Sequence, residues 1–221
     1  MRRAIVSILL ALSAAPATRP TITLDQQPPT VERFIFDPAN RPDDMPRLEP
    51  DEDAVCQFDF QCGARFKSIT ESQRDLADGV EVTVRIETMS ITLTLVNRIW
   101  LPRNATPKLR AHEEGHRIIN ERVYESAGEI AEEIAARIVA QTWTAVGQTP
   151  EIASSNALRA ALQAFCREYH ARVADRAYRI GVIYDELTRH GRRQRPTEAE
   201  AIDLAFTREA RDRATTPPDP H

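Results

Sequence analysis

Residues 106–146 carry a helical stripe, and that stripe holds two histidines one turn apart. Ile119, Val123, Ala127, Ile130, Ile134 and Ile138 recur at steps of three and four, which lines one face of an α-helix. His112 and His116 continue the stripe upstream, in the run His112-Glu113-Glu114-Gly115-His116. Burying two unpartnered imidazoles on a core face is costly. Two imidazoles four residues apart can instead reach one zinc ion, and the intervening Glu113 can reach a water beside it. A zinc hydrolase uses three protein ligands and keeps one position open. His112 and His116 supply two of those ligands, and Glu113 is the candidate general base. Glu114 points off that face and reads as solvated. Gly115 reads as the small residue that lets the helix approach a sheet.

Strand signals precede the helix. Val80, Val82, Val84 and Ile86 alternate with Glu81, Thr83 and Arg85, and Ile91, Leu93 and Leu95 alternate with Thr92 and Thr94. Asn97 and Arg98 interrupt the second run before Ile99 to Leu101. The pattern predicts an antiparallel pair, with 91–101 an edge that an extended peptide can join. Residues 55–61 alternate weakly around Phe58 and Phe60. Residues 18–50 form an extended, Pro-rich lead-in with at most one edge strand near Val31, Phe34 and Phe36. A kink is expected at Gly128. A second long helix is expected over 154–190, capped by Ser154 or Ser155 and stopped by Gly191. A third is expected over 198–213. Strands first and helices after make the fold class α+β, a small antiparallel sheet followed by the motif helix and further long helices. Residues 51–213 read as one domain and 214–221 as a disordered tail.

The first seventeen residues read as a secretory signal: Met1-Arg2-Arg3 is basic, Ala4 to Leu12 apolar, and Ala15-Pro16-Ala17 resembles a cleavage site. Cleavage is placed after Ala17, with Ala14 the alternative. The apolar run is too short to span a bilayer. A net charge of −4 gives no basis for nucleic-acid binding or a polybasic membrane surface. The chain is expected to be exported, to the periplasm or beyond. In that compartment Cys56 and Cys62, with five residues between them, are a possible disulfide, and Cys166 reads as a buried free thiol.

The third ligand is open on the residues alone. The extended metzincin pattern needs Gly at 119 and His at 122, where this chain has Ile119 and Arg122. His170, His190 and the acidic group Glu125, Glu129, Glu132 and Glu133 remain, with His221 set aside in the tail. Asp185 is a candidate for orienting a ligand histidine. Tyr184 reads as core on its helix stripe, with oxyanion stabilisation the alternative. Thr188 and Gln194 read as shaping the turn around His190.

Two motifs together carry a resemblance. His112, Glu113, Gly115 and His116 form H-E-x-G-H, and Tyr184, Asp185, Thr188, His190, Gly191 and Gln194 form Y-D-x-x-T-x-H-G-x-x-Q. Over residues 55 to 195 the chain resembles the bacterial family of predicted secreted zinc-dependent proteases, catalogued as a domain of unknown function. The resemblance implies a zincin-like fold, and it implies His190 as the third zinc ligand. The expectation is an exported zinc metallopeptidase acting on peptides or proteins. The alternative is a zinc-binding structural or partner-binding protein of the cell envelope that does no catalysis.

Overall fold

The computed structural model describes residues 19–50 and 52–215. The elements run β1 (Thr21–Gln26), β2 (Thr30–Phe36), β3 (Val55–Leu76), β4 (Gly79–Pro102), α1 (Pro107–Glu125), α2 (Ala127–Val139), β5 (Thr142–Gly147), α3 (Pro150–Arg172), α4 (Ala174–Thr188) and α5 (Glu198–Thr215). The chain is therefore mixed α and β, with a five-stranded sheet packed against helices. The leader and residues 216–221, including His221, lie outside the described residues.

Strand β4 organises the sheet. It pairs antiparallel with β3 along one edge. Along the other edge three short strands lie end to end: β5 opposite 80–85, β1 opposite 88–93 and β2 opposite 96–102. Pairing with β1 and β2 is parallel, so the sheet is mixed and not the small antiparallel one expected. The two alternating runs at 80–86 and 91–101 are not partners but one continuous strand. Their break is a bulge: Lys67 faces Thr88 and Ser68 faces Ile86, which leaves Glu87 extra on β4. That one residue resets the alternation, so Val82, Val84 and Ile86 and then Met89, Ile91, Leu93 and Leu95 are all buried. Because β4 is paired on both edges, 91–101 is not a docking edge. The lead-in contributes two strands instead of one, and Ile22 and Leu24 of β1 pack against the main core.

The helices are shorter and more numerous than the stripes suggest. The motif helix ends at Ser126, two residues before Gly128, and α2 follows at once. The stripe stops at Val139, and 142–147 is β5. There Thr144 pairs its hydroxyl with Thr83 across the strands (2.8 Å), and the Trp143 indole donates to the Ile138 carbonyl (3.1 Å). β-branched and aromatic residues on a half-buried surface favour strand. The next stripe is split at Val173 into α3 and α4. Its cap is Thr149, whose hydroxyl accepts from the Ile152 amide ahead of Pro150 at the first turn, and not Ser154 or Ser155. Helix α5 opens with a capping box, Thr197 with Glu200, as a Thr three residues before a Glu should.

The disulfide joins Cys62 on β3 to Cys166 on α3, with Cα atoms 5.8 Å apart, and Cys56 is the free thiol. The expected Cys56–Cys62 pairing fails because both lie on one extended strand. Six steps along it separate them by about 20 Å, beyond any disulfide. Among the described residues no helix is long and apolar enough to cross a membrane.

Candidate metal centre

Helix α1 begins at Thr106, whose hydroxyl accepts from the Leu109 amide (3.1 Å), followed by Pro107 at the first turn. This start sets the rotation that buries His112, Glu113 and Gly115. One turn past His116, Asn120 is also buried and donates to the Asn97 side chain on β4 (2.9 Å), which pins the helix to the sheet.

The partner element is α4. It ends in three consecutive left-handed residues, Arg189 (φ 51°), His190 (φ 51°) and Gly191 (φ 72°). The amides of Arg189 and His190 both point back to the Asp185 carbonyl. A Cβ at Gly191 would lie 2.8 Å from the Cβ of His112, so this turn can touch α1 only as glycine. Gly115 does the same on the other side. Its missing Cβ would sit 2.2 Å from the Tyr184 hydroxyl. It admits α4, not the sheet.

These approaches converge on one atom. Asp185 Oδ1 lies 3.1 Å from Nε2 of His112, 3.0 Å from Nε2 of His116 and 3.5 Å from Nδ1 of His190. His112, His116 and Asp185 offer ligand atoms within 4.8 Å of one another and form a group that can hold a metal ion. His190 flanks that group through Asp185. The charges support one another. Burial opposes ionisation of Asp185, yet the hydrogen bonds from His112 and His116 outweigh it and hold its carboxyl well below the usual carboxylate range. Burial also works against a charged His116, but its bond to Asp185 wins and raises its pKa. For His112 burial wins and favours the neutral ring.

Nε2 of His112 faces the cluster, and Nδ1 faces Thr188. The Thr188 hydroxyl donates to the Tyr184 carbonyl (2.7 Å), which leaves it to accept from Nδ1 of His112 across a long 3.4 Å contact. With a metal bound at Nε2, Nδ1 would carry the proton that the Thr188 hydroxyl accepts. Ligands ~2.1 Å from a tetrahedral ion stand about 3.4 Å apart, close to the distances found here. The donor set and its spacing therefore fit a divalent metal.

Glu113 lies beside the cluster with 3% of its surface exposed. Burial pushes its pKa up to about 7; positive His116 opposes this, while Asp185 and Glu52 add to it. The Cys56 amide donates to its carboxylate. A cavity of about 180 Å³ opens over these groups, walled in part by Glu52, Cys56, Phe58, Tyr178 and Val182. The Cys56 thiol is held well above its ordinary range by burial and by the charges of Glu113 and Glu114, so it is a poor nucleophile.

The other sequence candidates fall elsewhere. His170 donates from Nε2 to the Phe60 carbonyl (2.9 Å) beside the disulfide. Glu125, Glu129, Glu132 and Glu133 are exposed, and Glu133 is paired to Arg137 and Arg172. Glu114 is not merely solvated: it binds Arg33 of β2 (2.8 Å) and Arg117 (2.6 Å). Tyr184 is fully buried behind the ligands, its ring 5.0 Å from that of His112 and nearly parallel, its hydroxyl on the His112 carbonyl. That position is core, away from the cavity. Gln194 is exposed in the turn after Gly191. Sequence reasoning did not single out Asn120, Glu52 or Tyr178. Asn120, one turn beyond His116, was within reach of the same spacing argument. Comparison with family models, with curated proteins and with solved structures finds no match for this chain.

Proposed function

We propose that the chain is an exported zinc-dependent hydrolase of peptide bonds, held together as a zincin-like site between α1 and α4. The observation that carries this reading is the convergence of His112, His116 and Asp185 beside a buried carboxylate, Glu113, in an open cavity. His112 and His116 would be two ligands, as the resemblance to the predicted secreted zinc-dependent proteases implies. Asp185 is the third ligand in this reading. His190, the ligand that the resemblance implies, would hold the Asp185 carboxylate in place. When bound, zinc supplies Lewis acidity to a carbonyl and lowers the pKa of water towards ~7. Glu113 would accept a proton and return it to the leaving amine, a task suited to a carboxyl whose pKa lies near 7. With β4 fully paired, the edge open to an extended peptide near the cavity is the start of β3, around Ala54 to Phe58. Export agrees with the Cys62–Cys166 disulfide.

A second reading rests on His190. If His190 joins the other three as a fourth ligand, the site is closed and holds zinc without turnover. One set of variants separates the two. Glu113→Gln should keep zinc and lose hydrolysis, and retained hydrolysis would refute the mechanism. Asp185→Ala should lose zinc by elemental analysis, whereas His190→Ala should keep most of it. The reverse pattern moves the third ligand to His190, and loss in both favours the closed site.

A further inference from the structure

The cavity over the metal group is lined by no lysine or arginine among the described residues, yet by four carboxylates: Glu52, Asp53, Glu113 and Asp185. Three of these have counter-charges. Asp185 faces the histidines, and Asp53 is paired with Arg192 at 3.7 Å. Glu113 and Asp185 together match the two positive charges of a divalent ion. Glu52 is different. It is half-buried, and among the described residues it has no cationic partner and its carboxylate accepts only the Glu49 amide (2.9 Å). Its side chain lines the same cavity as Glu113 and His116. A carboxylate so placed leaves the loaded site one negative charge in excess, on the wall given by the approach to β3.

The remaining walls suit a long cationic side chain. Val55, Phe58 and Val182 offer apolar surface for an aliphatic stem. Tyr178, 63% exposed on α4, lines the same cavity and makes no side-chain hydrogen bond among the described residues. A ring face attracts ammonium and guanidinium groups.

We propose that Glu52 is a specificity residue that selects a lysine or arginine side chain beside the scissile bond. This rests on the hydrolase reading above, but charge selection can be measured without turnover.

The probes are matched fluorogenic peptides that carry Lys, Gln or Glu at one position, scanned on either side of the cleaved bond. At low salt kcat/KM should fall in the order Lys, Gln, Glu, with Lys over Gln by about tenfold, or ~1.4 kcal/mol. The gap should shrink as salt is raised. Glu52→Gln keeps an acceptor for the Glu49 amide and should bring the Lys-to-Gln ratio to about one. Glu52→Lys should invert it. The ratio is the readout, so a general loss of rate does not mimic the effect. Binding of the same peptides to the zinc-loaded Glu113→Gln variant gives the preference with no hydrolysis required. A Lys-to-Gln ratio near one in the parent protein, or one that survives Glu52→Gln, overturns the proposal. Charge-selective binding with no cleavage by the parent protein overturns the hydrolase reading and leaves this one standing.

Discussion

Replacing Gly115 by alanine tests whether the two motifs meet as described, because two physical effects give opposite signs. Residue 115 lies inside α1, where Gly→Ala ordinarily stabilises a helix by about 1 kcal/mol. Here the new Cβ would fall 2.2 Å from the Tyr184 hydroxyl and 2.6 Å from the ring carbon that bears it, over an ångström inside normal contact. Tyr184 cannot swing away cheaply. It is fully buried, stacked on the His112 ring and edge-on to the His116 ring at 5.1 Å. Overpacking of this kind costs about 1–3 kcal/mol, and so confined a ring belongs at the upper end. The net expectation is a loss of about 1–2 kcal/mol, which for a domain of this size lowers Tm by ~2–8 °C. Zinc affinity should fall as well, since α4 cannot retreat without carrying Asp185. Thermal unfolding of the metal-free protein gives the first number and zinc titration the second. In the double variant Gly115→Ala/Tyr184→Phe the worst contact is gone, so the two changes should combine to less than their sum. A rise in Tm for Gly115→Ala, with zinc binding intact, would refute the close approach of α1 and α4 on which the site depends.

Three further outcomes follow from the same structure. Thr188→Val removes the acceptor for Nδ1 of His112 and should weaken zinc binding about 10- to 100-fold, with Thr188→Ser close to the parent. The Cys62–Cys166 bond closes a loop of 104 residues, so the double Cys→Ala variant should lose about 2–5 kcal/mol in urea unfolding. Thiol titration of the denatured parent protein should then find one free cysteine, Cys56. Lys108 and Glu198 tie α1 to α5 at 2.5 Å. Burial opposes the charge of Glu198, but the Lys108 contact outweighs it and lowers the Glu198 pKa. A carboxylate depressed on folding adds stability above its unfolded pKa and loses it as pH falls through the folded value. Lys108→Met should therefore cost about 0.5–1 kcal/mol at pH 7, and the difference should vanish in acid.

Much of the site was readable from spacing alone. His112, Glu113 and His116 are where a helix of 3.6 residues per turn puts them, and Tyr184, Asp185 and Thr188 belong to the downstream segment named from the sequence. What spacing cannot give is distance between helices. Which of Asp185 and His190 stands nearer the histidines depends on three left-handed residues in a row. Two of them, Arg189 and His190, are not glycine, and positive φ is uncommon for residues with a side chain. The disulfide was misread for a related reason. Cys56 and Cys62 look close along the chain, but a strand stretches them apart, and Cys166 comes from the far side of the fold. The strand plan failed at one residue, Glu87, where a bulge shifted the alternation and made one strand look like two. Glu52 carries no local signal: it is an acidic residue in a Pro-rich stretch until the chain turns it towards the cavity.

The central strand also acts as a two-channel recorder of unfolding. Successive backbone amides along β4 point to opposite edges, so neighbouring protons are held by different partners. Over 88–93 and 96–100 one set is held by β3 and the alternate set by β1 and β2. The short N-terminal strands each pair with β4 and with no other strand, so either can detach and leave the β3–β4 ladder whole. Amide exchange should then alternate along a single strand. One parity opens with the local release of residues 21–36, and the other waits for loss of the whole domain.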